Sequence, residues 1–154
     1  MEVDAFLADS VVAAEGKLYV QGAGWNMVQT ASLPTRHSRI GIGVIIRVPY
    51  TATNQLHKLE IRFEDSDGNK MPLGEAGPES EGDKIYAIGG EFNVGRPPVL
   101  LPGEDQIVPI AINVDGLVFD KPDSYSFLIS IDGVVIKRLP MRVMQLPQTG
   151  PLGR

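Results

Sequence analysis

Four stretches of this chain alternate apolar and polar residues with a period of two, and that alternation constrains the fold more than any other feature. In SRIGIGVIIRVPY, Ile40, Ile42, Val44, Ile46, Val48 and Tyr50 share one face, while Arg39, Gly41, Gly43, Ile45, Arg47 and Pro49 share the other. HKLEIRFED sets His57, Leu59, Ile61 and Phe63 against Lys58, Glu60, Arg62 and Glu64. QIVPIAINV aligns Val108, Ile110, Ile112 and Val114, and SYSFLISI aligns Tyr125, Phe127, Ile129 and Ile131. Successive side chains of an extended strand point to opposite sides, so each run has one face to bury. No stretch keeps a helical spacing of 3.6 residues for three turns.

Turn chemistry punctuates these runs. Glu15–Gly16, Asp67–Gly68, Pro102–Gly103, Asp115–Gly116 and Asp132–Gly133 each separate strand-like segments, and Asp-Gly is a strong hairpin signal. Strands are expected at 3–7, 10–14, 17–22, 25–30, 38–48, 56–64, 85–93, 106–114, 124–131 and 134–144. Many short strands with one buried face each predict an all-β protein, an antiparallel β-sandwich that is Ig-like in architecture. A closed β-barrel is the alternative. The Pro- and Gly-rich segment 72–84 is expected to be a mobile surface loop, and Pro140 marks its strand as a sheet edge.

A chain of 154 residues reads as one domain, here 1–145, followed by an extended tail at 146–154. There is no cysteine, which excludes zinc ribbons, thiol nucleophiles and iron–sulfur clusters. The net charge of −5 is concentrated: residues 60–83 hold eight acids against Arg62 and Lys70. No basic stripe with interleaved aromatics appears, so nucleic acid is not an expected partner. No apolar run is long enough for a membrane span. Glu2, Asp4 and Asp9 oppose a secretory signal, so a chain starting at Met1 is expected in the cytoplasm. LPQTG at 146–150 matches a cell-wall sorting pentapeptide. Only PLGR follows where sorting needs an apolar span and a basic tail, so the match is expected to be coincidental.

Few residues carry a chemical signal. Gly22 and Gly24 open GAGWNM, but Met27 stands where a dinucleotide fingerprint needs its third glycine, so a strand bend is the expectation. Trp25 beside them is a candidate stacking surface for a ligand, weighed against packing at a sheet edge. Asp65, Asp67 and Asn69 occupy the first three ligand positions of a calcium loop, but its glycine arrives two places early and Ala76 stands at the twelfth. A hairpin turn explains the same residues. His57 lies on an apolar strand face and is expected as a hydrogen-bonded core histidine, while His37 is expected to be exposed. No nucleophile elbow or rigidly placed carboxylate pair is present, and no cofactor is expected.

LADSVVAAEGKLYVQGAGWNMV, HKLEIRFEDSDGNKMP and PDSYSFLISIDG together resemble a family of short bacterial all-β proteins of unknown function, actinobacterial in style. The shared features are a Gly-Lys-Leu followed by Gly-x-Gly, and a His-x-Leu-x-Ile strand leading into an Asp-x-Asp-Gly turn. The resemblance spans most of residues 3–144 and implies a common fold without an activity. The functional expectation is a non-catalytic binding or assembly module that engages a protein partner or forms a homo-oligomer. Leu146, Pro147, Pro151 and Leu152 of the tail are candidate docking residues. A small-ligand or carbohydrate-binding module using Trp25 and Gly-rich segments such as Gly89–Gly90 is the alternative, and an enzyme of unknown type comes third.

Overall fold

Every alternating run forms a strand, because each has an apolar face that only a packed sheet can remove from water. The computed structural model describes residues 1–77, 82–148 and 150. Its strands are β1 (Glu2–Ala14), β2 (Lys17–Ala23), β3 (Met27–Thr30), β4 (Thr35–Val48), β5 (Leu56–Glu64), β6 (Lys70–Met71), β7 (Gly74–Glu75), β8 (Lys84–Ile85), β9 (Ala87–Asn93), β10 (Gln106–Phe119), β11 (Asp123–Ile131) and β12 (Val134–Gln145). A 3-10 turn, Tyr50–Ala52, follows β4.

One sheet runs β10-β4-β1-β2, and a second runs β3-β12-β11-β5, with β9 and β6 both pairing β5. β7 and β8 form a separate small hairpin. All pairs are antiparallel except β3 with β12, which is parallel. The fold includes a sheet curled into a half-barrel. Ile42, Val44 and Ile46 of β4 share one core with Ile61 and Phe63 of β5 and Phe127 and Ile129 of β11. Phe63 stacks on Phe127 with ring centroids 4.5 Å apart. Each such side chain stabilises the fold by about 1.5–3 kcal/mol through burial.

The glycines of β4 explain the curl. A methyl group at Gly41 would sit 3.1 Å from the main chain of Ser10 and Val11, so β1 bends across the face of β4 at that point. A methyl at Gly43 would strike the ring of Phe6, which lies opposite it in register. Segments 3–7 and 10–14 are therefore one bent strand rather than two. Its first half pairs β4 and its second half pairs β2.

Asp115–Gly116 is not a hairpin either. β10 continues through it in unbroken register with β4 as far as Phe119. Gly116 takes φ 71° inside the strand, and Arg39 forms two bonds to Asp115 (2.6 and 3.0 Å), tying the site to β4. Burial shifts from even residues up to Val114 to odd residues from Leu117, so the ribbon turns over there without a loop. At Glu15–Gly16 and Asp132–Gly133 both residues have positive φ, as two-residue hairpin loops require.

Segment 72–84 is structured at its base: Leu73 is buried and β7 pairs β8. The expected 85–93 strand is divided at Tyr86 into β8 and β9. β12 lies inside its sheet, between β11 and β3, although Pro140 falls before the residues that pair β3. The two large sheets do not join into a closed barrel: among the described residues β9 and β10 each keep one unpaired side. Pro109 suits that position, since an edge strand tolerates a missing N–H.

Candidate functional site

The free sides of β9 and β10 flank a cleft of about 500 Å³, lined by Leu59, Ile88, Gly89, Gly90, Glu91 and Phe92 on one side and Ile110, Ala111, Ile112 and Asn113 on the other. Its walls are a consequence of the sheet pattern. Val108, Ile110 and Ile112 share the core-facing side of β10 with buried Val114, yet all three remain half-buried. Their register partners on β4, Ile46, Val44 and Ile42, are fully buried. Ile88 and Phe92 of β9 are likewise half-buried against the core. The interior is thus incompletely covered where the two edges face each other. Gly89 shapes the floor, because a methyl there would run into the Leu59 carbonyl of β5.

Chemically the cleft offers apolar contact and two rows of unpaired main-chain N–H and C=O groups. Glu91 is the sole ionisable side chain among its lining residues. Sequence reasoning named only Gly89–Gly90 of the cleft, as a Gly-rich segment for a small ligand. The signals were present in Pro109, which marks an edge, and in Gly89–Gly90, which mark a close main-chain approach.

The 94–105 connection, which joins β9 to β10, is held by Arg96. Its guanidinium lies 4.2 Å from the centroid of the Tyr50 ring, and it donates to the Tyr50 carbonyl (3.0 Å) and to Thr53 Oγ1. The Asn54 N–H donates to the Val94 carbonyl (2.7 Å). Beyond this base the connection presents Val99 and Leu101 to solvent.

His57 sits beneath the same base. It is 5% exposed and packs 5.4 Å from the ring of Phe92. Its Nε2 lies 2.8 Å from the Ala52 carbonyl and its Nδ1 lies 2.8 Å from Asp132 Oδ2. Both partners are acceptors, so only a ring protonated on both nitrogens satisfies the two bonds together. The Ala52 carbonyl first, and Asp132 next, hold the imidazole above its ordinary pKa against the cost of burial. His57, aided by the Lys58 N–H, holds the Asp132 carboxyl below its ordinary value. The expected core histidine is therefore a hydrogen-bonded staple between β5, the 3-10 turn and the β11–β12 loop. Neither ring nitrogen is free to exchange a proton with a substrate.

Trp25 lies where the chain crosses from the first sheet to the second, half-buried against the core. Its indole Nε1 is buried without a hydrogen-bond partner. Beside it is a crevice of about 240 Å³ lined by Asp9, Trp25, Met27, Val28, Gln29 and His37. Gly22, at φ 65°, leaves room for the Asp9 carboxylate, while Gly24, at φ 94°, faces open space. His37 is half-buried with its ring 6.0 Å from that of Trp25, rather than exposed as expected.

Asp65, Asp67 and Asn69 form one turn. Asp65 Oδ1 accepts the Asp67 and Asn69 N–H groups (3.0 and 2.8 Å), and Oδ2 accepts Asn69 Nδ2 (3.0 Å). The Asn69 side chain holds the Asp65 carboxyl below its ordinary pKa. Both oxygens of Asp65 are engaged within the turn. Among the described residues no three His, Asp or Glu side chains converge as a metal site.

Leu146 extends the β3–β12 pairing through its N–H to the Thr30 carbonyl (2.8 Å), and Pro147 is exposed. Pro151 and Leu152 lie outside the described residues. Among the described residues no helix is long and apolar enough to cross a membrane.

Residues 3–144 match the model of a family of unknown function (DUF6941), and the chain belongs to that family. No curated protein matches the chain.

Proposed function

We propose that this chain is a non-catalytic binding module that receives an extended segment of a protein partner in the cleft between β9 and β10. We read its two large sheets as a β-sandwich of Ig-like architecture, open along that side. The observation that carries the reading is the pairing of two free strand edges with core-facing residues left half-exposed between them. An extended segment satisfies both needs at once. Its main chain pairs with an edge, and alternate side chains enter the apolar gap.

The test uses a panel of end-blocked heptapeptides, matched to the seven residues of β9 and alternating apolar and polar side chains. Amide NMR spectra of the full chain are followed during titration. Shifts confined to residues 87–93 and 106–113, abolished by Ile110→Lys, support the reading. Shifts elsewhere, or none across the panel, overturn it.

A second reading has its own observation, the unpartnered indole N–H beside the Trp25 crevice. A small polar ligand such as a monosaccharide would stack on the part of the ring that lines the crevice. Trp25 is the only tryptophan, so its fluorescence reports directly. An unchanged spectrum across a panel of monosaccharides removes this reading.

A further inference from the structure

We propose that His57 is a proton-dependent latch: protonated, it fixes the 3-10 turn and, through it, the 94–105 connection beside the β9–β10 cleft; neutral, it releases them.

The geometry requires a choice on proton loss. A neutral imidazole has one N–H donor and one bare nitrogen, whereas both partners of His57 only accept. Deprotonation therefore leaves a nitrogen facing either the Ala52 carbonyl or the Asp132 carboxylate, on a ring that is itself buried. Asp132 also accepts the Lys58 N–H at 2.8 Å and belongs to a tight hairpin loop, so it is the harder partner to move. The Ala52 side is held more lightly, by a single 3-10 turn.

That turn is also the seat of Arg96. Tyr50 supplies a ring face and a carbonyl to its guanidinium, and Thr53 supplies a hydroxyl. Asn54, at the end of the same segment, holds Val94. Loosening Ala52 therefore loosens the base of the connection that exposes Val99 and Leu101. The charges around His57 are known from every side. Asp132 faces it from the β11–β12 loop, and the Met1 amino group opposes its charge. Lys58 lies next to it on β5, with Glu91 of β9 opposite Lys58 in register. Arg96 sits over the Tyr50 ring of the same turn. The latch stands whether or not the cleft takes a peptide, and its test uses no ligand.

The experiment follows two signals in the ¹⁵N-labelled full chain between pH 5 and 9. One is the pair of ring nitrogen shifts of His57. The other is the exchange protection of the Asn54 amide, corrected for intrinsic rates. The expected result is a ring protonated at both nitrogens at pH 5, and Asn54 protection that falls about tenfold as the ring titrates, the equivalent of one hydrogen bond. In Asp132→Asn, the amide can donate to the bare nitrogen of a neutral ring, so protection stays level. A ring carrying one proton at pH 5, or protection that stays level in the parent chain while the ring titrates, overturns the latch. The same fall persisting in Asp132→Asn also overturns it, because that variant retains the Met1 amino group and would assign the effect there. His57→Gln, if folded, shows the loosened value at every pH.

Discussion

Asn113 and Val11, 102 positions apart, are joined in both directions: the Val11 N–H donates to Asn113 Oδ1 (3.1 Å), and Asn113 Nδ2 donates to the Val11 carbonyl (2.8 Å). The side chain does here what a neighbouring strand would otherwise do. It reaches past Gly41, its register partner on β4, to the main chain of β1 where that strand crosses the sheet. Val11 is buried, so these main-chain groups have little access to water.

Asn113→Ala should therefore leave two main-chain groups unpaired and cost about 1–3 kcal/mol. Urea unfolding measures the loss. Hydrogen exchange should rise first at residues 9–14, because the second half of β1 loses its tie to β10. A uniform rise over the whole chain would count against that local role.

Gly89 and Gly90 are adjacent and should respond oppositely. A methyl at Gly89 meets the Leu59 carbonyl, while one at Gly90 meets nothing within 4 Å. Gly89→Ala should destabilise by about 1–3 kcal/mol through overpacking, and Gly90→Ala by at most about 0.5 kcal/mol. Thermal unfolding of the two variants side by side checks the difference.

The His57–Asp132 pair gives stability a definite pH dependence. The imidazole is held above its unfolded value, so its contribution is complete below about pH 6.5 and disappears as pH rises through the folded pKa. The carboxyl is held below its unfolded value, so its contribution is present above about pH 3.9 and disappears as pH falls through the folded pKa. The melting temperature should therefore peak between those limits and decline on the alkaline side. Asp132→Asn should flatten the alkaline decline, which calorimetry across pH can follow.

Calcium should leave the melting temperature unchanged. A ligand stabilises only by binding the folded state, and both oxygens of Asp65 already serve the turn. Asp65→Ala, in contrast, should destabilise by about 0.5–2 kcal/mol, because three N–H groups lose their acceptor. Differential scanning fluorimetry with and without millimolar calcium tests both statements.

What the sequence determined by itself is the four alternating strands and the face that each turns toward the core. Ile42, Val44 and Ile46 declare one face, and Leu59, Ile61 and Phe63 another, because a period of two belongs to extended chain alone. The Glu15–Gly16 and Asp132–Gly133 loops were legible for a related reason, since few residues tolerate positive φ. The apolar side of His57 was legible too, but its two acceptors were not, because Ala52 and Asp132 meet it through separate elements.

Only the tertiary structure decided the rest. Asp115–Gly116 reads locally as a hairpin, yet pairing with thirteen residues of β4 and the bonds to Arg39 carry the strand through. Segments 3–7 and 10–14 read as two strands, and Gly41 makes them one bent strand by admitting the main chain of Ser10 and Val11. The cleft between β9 and β10 was the least visible feature. Ile110 and Ile112 alternate as regularly as Ile42 and Val44. Whether an apolar face is covered depends on which strand lies across from it, and that is set by sheet order rather than by local pattern.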